Sequence, residues 1–324
     1  MKKFMKLCII CLAVLLASAR SLHANQRNIK VAIVQLVSHP SLDAITTGIK
    51  EGLSQGGYEE GKNLTLDFQN AEGDMSLLPN IAELVVSEKP DIIFAITTPV
   101  AQSLQQATQD IPIILAGITD PVAAKLVSSL EKTESNITGV SDAAPLEEQF
   151  KLIAQLTPNV KTIGMIYTSS EDNSKAEVDK AAKFAEAAGM TVIVETIAST
   201  ADMSLVAENL VGKVDAIFVP TDNTVASSAD TLLDIADQSS VPIYPTFEDM
   251  VKRGGLASVA IDQVGIGRQS AQMAVEIFNG ATPQTLPIQF ATEVRKVFNA
   301  QTASHLDIRL PQALTEQLID VSGE

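Results

Sequence analysis

Asp91-Ile92-Ile93-Phe94-Ala95-Ile96-Thr97-Thr98 (91–98) returns in the second half of the chain as Asp215-Ala216-Ile217-Phe218-Val219-Pro220-Thr221-Asp222 (215–222). Asp91 matches Asp215, Phe94 matches Phe218 and Thr97 matches Thr221. Val-Ala follows each run (100–101 and 225–226), then a helical stretch, then an Ile/Val-Pro dipeptide at Pro112 or Pro242 that opens the next apolar run. A short apolar run that ends in hydroxyls and feeds a helix is a buried parallel strand entering a βαβ crossover. Either one βαβ unit is used twice, once in each half, or two ordinary units look alike by chance.

Outward from these runs the same alternation continues almost from end to end. Strands are expected at 29–36, 64–70, 91–96, 113–117, 162–167, 191–196, 216–220, 243–245 and 256–260. Between them, Ile45, Ile49 and Leu53 recur every four residues and stop at Gly56-Gly57, a helix with its end marked. Asp120-Pro121 offers an N-cap followed by a first-turn proline, and Pro145 opens a stretch carrying Leu146, Phe150 and Ile153. Gly265 and Gly267 form a G-x-G without the strand-and-acid context of a dinucleotide site, and are expected in a loop before a helix carrying Met273, Ile277 and Phe278. Alternating strands and helices make an α/β protein with parallel sheets covered on both faces.

The first residues supply an address. Lys2, Lys3 and Lys6 precede an unbroken apolar run from Leu7 to Ala17, and small residues lead to Ala24. That order is a cleaved secretory signal peptide over 1–24, too short to span a bilayer and without the cysteine of a lipoprotein. A periplasmic location follows. Cys8 and Cys11 leave with the signal, so no disulfide, catalytic thiol or thiolate metal site is expected. Removal of 1–24 also takes four of the 23 basic residues and none of the 39 acidic ones. The acidic remainder disfavours nucleic acid and anionic lipid. Histidine is scarce as well, with only His39 and His305 beyond the signal, which argues against an enzyme built on zinc or on His acid–base chemistry.

In parallel α/β sheets, ligands sit beyond the carboxyl ends of the strands, where helix N-termini also point. In the first half these ends bring Gln35, Ser38 and His39; Thr97, Thr98 and Pro99; and Thr119 and Asp120. In the second half they bring Tyr167, Thr168 and Ser169; Thr221, Asp222 and Asn223; and Thr246, Phe247 and Glu248. Hydroxyls, amides and carboxylates dominate, with no Lys or Arg. A phosphate or sulfate would find helix N-termini there but no use for the acids. A zwitterionic amino acid suits the set: Thr97, Thr98 and free helix amides for its carboxylate, Asp142 or Asp222 for its ammonium. Tyr167, Tyr244 and Phe247 would then line a side-chain pocket. For Asp120 and Asp222 a purely structural N-cap role stands beside the ligand role, and Tyr244 and Phe247 could equally be core residues.

Several segments carry a family likeness. They are Val-Ser-His-Pro-Ser-Leu-Asp (37–43), Gly-Tyr-Glu-Glu-Gly-Lys-Asn (57–63), Asn-Ala-Glu-Gly-Asp (70–74), Ile-Thr-Thr-Pro-Val-Ala-Gln (96–102) and Thr-Asp-Pro-Val-Ala-Ala (119–124). Asn-Ile-Thr-Gly-Val-Ser-Asp (136–142), Val-Pro-Thr-Asp-Asn-Thr-Val-Ala-Ser (219–227) and Gly-Ile-Gly-Arg-Gln (265–269) continue the pattern. With these the chain resembles the ABC-transporter substrate-binding proteins of the tryptophan and tyrosine type, which have a type I periplasmic-binding fold. Phe247 departs from the pattern, since many relatives are more polar there.

The resemblance implies two doubly wound parallel-sheet domains joined by a three-strand hinge. The chain would cross near 139–143, 260–263 and 291–298, with a last helix from about Pro311. The first domain would hold 25–140 and 262–293, the second 141–261 and 294–324. The implied function is capture of an amino acid, aromatic by preference (Trp, Tyr or Phe), by hinge closure, and delivery to an ABC permease in the inner membrane. The protein would act as a monomer without cofactor or metal. The site residues would be Gln35, Ser38, Thr97, Thr98, Asp142, Tyr167, Thr221, Asp222, Asn223, Phe247 and Asp262. A ligand-sensing receptor module for another small polar solute is the alternative.

Overall fold

A computed structural model describes residues 28–323 of the chain; the signal-peptide expectation for 1–24 lies outside them. In chain order the first elements are β1 (Ile29–Gln35), α1 (Pro40–Gln55), β2 (Leu64–Asn70), α2 (Leu78–Ser87), β3 (Ile92–Ile96), α3 (Thr98–Ala107), β4 (Ile113–Ala116) and β5 (Ile137–Ser141). Next come α4 (Leu146–Leu156), β6 (Thr162–Thr168), α5 (Asp172–Ala187), β7 (Thr191–Ile197), α6 (Met203–Val211) and β8 (Ala216–Val219). Then follow α7 (Asn223–Ser227), α8 (Ala229–Gln238), β9 (Ile243–Pro245), α9 (Glu248–Lys252) and β10 (Ala257–Ile261). The chain closes with α10 (Gln263–Phe278), β11 (Gln289–Phe290), β12 (Val294–Phe298), α11 (Ala300–His305), α12 (Gln312–Thr315) and β13 (Ile319–Asp320).

Two parallel sheets form the two domains. The first runs β11-β5-β4-β3-β1-β2 and the second β7-β6-β8-β9. Reading from β2 and from β7, the order is the same: second strand, first, third, fourth. β3 and β8 therefore hold equivalent central places. Ile93 pairs with Ala32 on β1, and Ile217 pairs with Gly164 on β6.

The repeated aspartates explain themselves here. Asp91 Oδ2 accepts the amide of Lys30 at 2.9 Å, and Asp215 Oδ2 accepts the amides of Lys161 and Thr162 at 2.8 Å. Each carboxylate thus pins the start of the neighbouring strand. The prolines match too, because Ile93 and Ile217 each donate to the carbonyl of Pro112 or Pro242 at 2.9 Å.

The central strands of each sheet are buried on both faces and so read as continuous apolar runs, while the edge strands β2 and β7 are partly exposed. Ile92, Phe94 and Ile96 face α1 and α10, while Ile93 and Ala95 face α2 and α3. In the second sheet Met165 and Phe218 pack with α4 and α5, whereas Ile217 and Val219 pack with α6 and α8. Tyr244 belongs to this core: fully buried, its hydroxyl meets Thr157 Oγ1 at 2.9 Å.

Three segments join the domains. Ala291 donates to Ser141 O at 3.1 Å and Asp262 to Glu293 O at 3.2 Å, so the stretches after β5, after β10 and before β12 lie side by side. β10 also pairs antiparallel with β12, which pairs in parallel with β13.

Three local expectations need correction. Gly265 and Gly267 lie inside α10, not in a loop before it. Gly267 is there because α10 crosses α1 in near-contact: a Cβ at Gly267 would stand 2.1 Å from Ile45 O, and one at Gly48 would stand 2.1 Å from Val264 O. Asp120-Pro121 opens only a turn, its Oδ1 accepting the Ala123 amide at 2.9 Å. β5 extends as a regular strand through 137–141, with Gly139 at φ 146° where any Cβ would strike Leu115. The last helix stands where expected, as the four residues of α12 after its N-cap Pro311, and the chain then turns into β13.

Candidate ligand-binding cleft

The carboxyl ends of the two sheets face each other across a cleft of about 550 Å³, counting its solvent-open mouth. The first domain contributes His39, Ser41, Leu42, Thr97, Thr98, Gly117 and Thr119, and Asp142 enters from the crossing after β5. The second contributes Asn173, Thr221, Asp222, Asn223, Ala226, Thr246 and Phe247, and the hinge adds Ile261 and Gln263.

Thr97 sits where β3 turns into α3, at φ 88° and ψ 153°. A β-branched residue there is strained by about 1–3 kcal/mol, and such strain persists where surroundings impose it. Thr97 is the N-cap of α3 but makes no side-chain cap bond, and its Oγ1 is buried without a partner. Pro99 has no amide to offer. The α3 N-terminus thus enters the cleft with its positive end uncompensated by any side chain of its own.

The second domain treats the matching place differently. Asp222 caps α7, with Oδ1 accepting Val225 N at 2.8 Å and Thr168 Oγ1 at 2.7 Å, while Oδ2 accepts Thr168 N at 2.6 Å. Glu171 fills the rest. Its Oε2 accepts Asn223 N and Nδ2 at 3.1 and 2.5 Å, and its Oε1 accepts Thr224 N and Oγ1 at 3.0 Å. Burial first, and the Asp222 charge second, push the Glu171 carboxyl up to about 8. Both carboxyl groups of this pair are engaged within the fold.

Asp142, just past β5, is in the opposite condition. It is buried, and its Oδ1 has no partner. Burial pushes its carboxyl up to about 6, against the pull of the Thr119 hydroxyl. Gly117, at φ 76°, lies beside it: a Cβ there would be in ordinary contact with Asp142 Oδ2, at 3.5 Å, but would press on Ile45 Cδ1 at 2.9 Å. From α5 of the other domain comes Glu177, also buried, which accepts Thr221 N at 3.2 Å through Oε2 and leaves Oε1 unpaired. Burial, and then the Asp142 charge, push Glu177 up to about 7. Asn173 donates to Thr221 O at 2.9 Å and keeps its own Oδ1 unpaired. This region is rich in buried acceptors and has no cation among its lining residues.

Of the residues anticipated from sequence, Thr97, Thr98, Asp142, Thr221, Asp222, Asn223 and Phe247 line the cleft. Gln35, Ser38, Tyr167 and Asp262 stand outside that lining. Gln35 is buried and bonded to Val37 O, Asp43 and Thr46. Ser38 is exposed and donates to both oxygens of Asp43. Tyr167 is half-buried against the core of the second domain, and Asp262 caps α10 by accepting Val264 N at 3.0 Å. Leu42, Asn173 and Ile261 joined the cleft unannounced, as did the buried pair Glu171 and Glu177 behind it. All but Ile261 lie in the first turns of α1 or α5 or just before them, where periodicity marks a helix but not which side chains turn to the cleft.

The cleft is spanned by direct contacts. Lys180 Nζ on α5 meets Asp120 Oδ2 at 2.5 Å, and Gln102 Nε2 on α3 meets Asp172 Oδ2 at 3.3 Å.

A two-domain α/β molecule with a polar cleft at facing strand ends, closed about a three-strand hinge, is a binding protein of the type I periplasmic fold. The chain belongs to the ABC transporter substrate-binding protein family, whose model matches residues 30–321. It is 39% identical over 285 residues to a tyrosine-binding protein of Clostridioides difficile (strain R20291), covering 88% of this chain and 82% of that one. Among solved structures it resembles an ABC domain from Streptococcus pneumoniae in complex with L-Trp, with 43% identity, a TM-score of 0.88, and 90% and 100% of the two chains covered. A ligand-free, open substrate binding protein with adhesive properties from Clostridium difficile is 37% identical, with a TM-score of 0.71 over 91% and 100% of the chains. The higher score against the complex accords with the contacts that span the cleft here.

Proposed function

We propose that this protein captures an L-amino acid with an aromatic side chain by closing its two domains, and delivers it to an ABC permease in the inner membrane. The observation that carries the ligand class is a pairing of unmet needs in one cleft. An uncompensated helix N-terminus at Thr97–Thr98 calls for a carboxylate, and the buried, half-unpaired Asp142 calls for an ammonium. An α-amino acid supplies both charges on groups attached to one carbon. Phe247, Leu42, Ile261 and Ala226 give the remaining wall its apolar character. The tyrosine and tryptophan relatives support an aromatic side chain.

Asp142 takes the ammonium in preference to Asp222, whose oxygens are already engaged by Thr168 and Val225. Because ligand touches both domains, it favours the closed form over the open one. Export through a cleaved signal over 1–24, action as a monomer, and domain limits at 25–140 with 262–293 and 141–261 with 294–324 complete the reading. Among the described residues no helix is long and apolar enough to cross a membrane, and no group of three His, Cys, Asp or Glu could hold a metal ion. A thermal-shift screen of the twenty amino acids tests the proposal, since a ligand that binds only the folded state raises its melting temperature. L-tryptophan or L-tyrosine should give the largest shift, and Asp142→Asn should abolish it. A shift from sugars or nucleosides alone would overturn the ligand class.

A further inference from the structure

The two domains repeat each other closely enough to compare residue with residue. The strand pairings that set Ile93 against Ile217 also set Ala32 against Gly164. Continuing along the chain from those strands, α1 and α5 are both 16 residues long, and their N-caps are His39 and Glu171. In the same register Asp222, the N-cap of α7, stands opposite Thr98, the first residue of α3, with Thr97, the N-cap of α3, just before it. In the second domain both positions are carboxyl groups, and Glu171 reaches over to occupy the α7 N-terminus with four hydrogen bonds. In the first domain the matching positions, His39 and Thr98, are neutral. Thr97 Oγ1, on a residue only 4% exposed, is unpartnered, and so is His39 Nε2. Both line the cleft.

We infer that His39 is the residue that keeps the first domain's anion position open, so that the ligand's carboxylate takes the place that Glu171 fills in the second domain. This rests on the proposal that the ligand carries a carboxylate, and adds to it the residue that makes room. A carboxyl group at position 39 would reach the α3 N-terminus as Glu171 reaches that of α7, and the protein would occupy its own site. Histidine fills the volume without the charge. Burial holds its imidazole below the ordinary histidine range, against the raising effects of a side-chain hydrogen bond with Asn223 and of the charges of Asp43 on α1 and Asp249 on α9, with Arg253 acting in the lowering direction. It therefore stays neutral at neutral pH, with Nε2 free. The absence of a carboxylate at Thr98, opposite Asp222, matters equally, because an arriving carboxylate meets no like charge of the kind Asp222 presents to Glu171.

The test substitutes the second domain's choice into the first. His39→Glu and His39→Gln are compared with wild type by calorimetric titration with L-tryptophan and with L-tryptophanamide, which lacks the carboxylate, and by melting temperature without ligand. His39→Glu should weaken L-tryptophan by about 100-fold or more. His39→Gln should remain within about 10-fold of wild type, and the amide should lose its disadvantage in His39→Glu. Without ligand, His39→Glu should melt no lower than His39→Gln. Wild-type affinity in His39→Glu, or equal losses in the two variants, would overturn the inference. Should wild type bind no amino acid, the ligand proposal fails on its own. The ligand-free melting temperatures then still decide: His39→Glu melting well below His39→Gln shows that the position rejects a carboxyl group, and the inference falls.

Discussion

Lys180 on α5 and Asp120 beyond β4 meet across the cleft, and one aspartate serves both sides: Oδ1 holds the Ala123 amide of its own turn while Oδ2 receives the lysine of the other domain. The side chains are 54% and 21% exposed, so the pair is a modest latch of about 0.2–1 kcal/mol. Lys180→Ala should weaken amino-acid affinity about 2–5-fold and enlarge the ligand-free radius of gyration in small-angle scattering. Raising the salt should shrink the difference between variant and wild type.

Asp142 sets the pH response. Its carboxyl is raised in the folded protein to about 6, so the fold favours the protonated form. The stability this confers is present at low pH and is lost as pH rises from the ordinary carboxylate range through about 6. Ligand binding runs the other way, because an ammonium needs the ionised carboxylate. Amino-acid affinity should therefore climb between about pH 5 and pH 7 and level off above. Asp142→Asn should flatten that climb in titrations at several pH values while raising the ligand-free melting temperature at neutral pH. A steep climb in the variant would assign the response to another group, Glu177 first.

Thr97 divides stability from binding. Thr97→Gly removes a β-branched side chain from a φ of 88° and should relieve on the order of 1 kcal/mol of strain, raising the denaturation midpoint. The same change deletes the unpartnered Oγ1 from the cleft and should weaken L-tryptophan. A variant that becomes both more stable and a better binder would refute the role given to that hydroxyl.

The crossing of α1 and α10 tolerates no side chain at its centre. Gly267→Ala would set a Cβ 2.1 Å from Ile45 O, and both are backbone-defined positions that cannot yield locally. A loss of about 3 kcal/mol or more is expected in urea unfolding, or no folded protein at all. Gly189→Ala serves as the control for added bulk, since nothing lies within 4 Å of its Cβ, although its φ of 82° will itself exact a smaller penalty.

Much of this architecture was legible because its strands are covered on both faces. The continuous runs 91–96 and 216–220 announce buried parallel strands, and the shared Asp and Pro at their borders announce a repeat. Glycine misled at one point, and a strand around another glycine went unread. At Gly267 it marks a helix crossing and not a loop, and at Gly139 it stands inside a strand pressed against Leu115; both are distances between distant segments that no local pattern encodes. The site was legible only as far as strand ends go. Thr97, Thr98, Asp142 and Thr221 follow from position, but the state of each carboxylate does not. Asp222 and Asp142 look alike in sequence, and only the reach of Thr168 and Val225 to one of them separates an engaged acid from a waiting one. Tyr244 drew attention as a rare aromatic at a strand end, yet it points into the core toward Thr157, since the direction of a strand's last side chain depends on register.

The clamps of Asp91 on Lys30 and of Asp215 on Lys161 and Thr162 lie at the ends of the central strands opposite the cleft. A strand of five residues separates clamp from cleft by roughly 17 Å. The two ends of the molecule therefore answer to different selective demands. One end fixes how the chain folds, while the other can exchange its hydroxyls, acids and aromatics without disturbing that scaffold. Descendants of such a molecule can change diet without relearning how to fold.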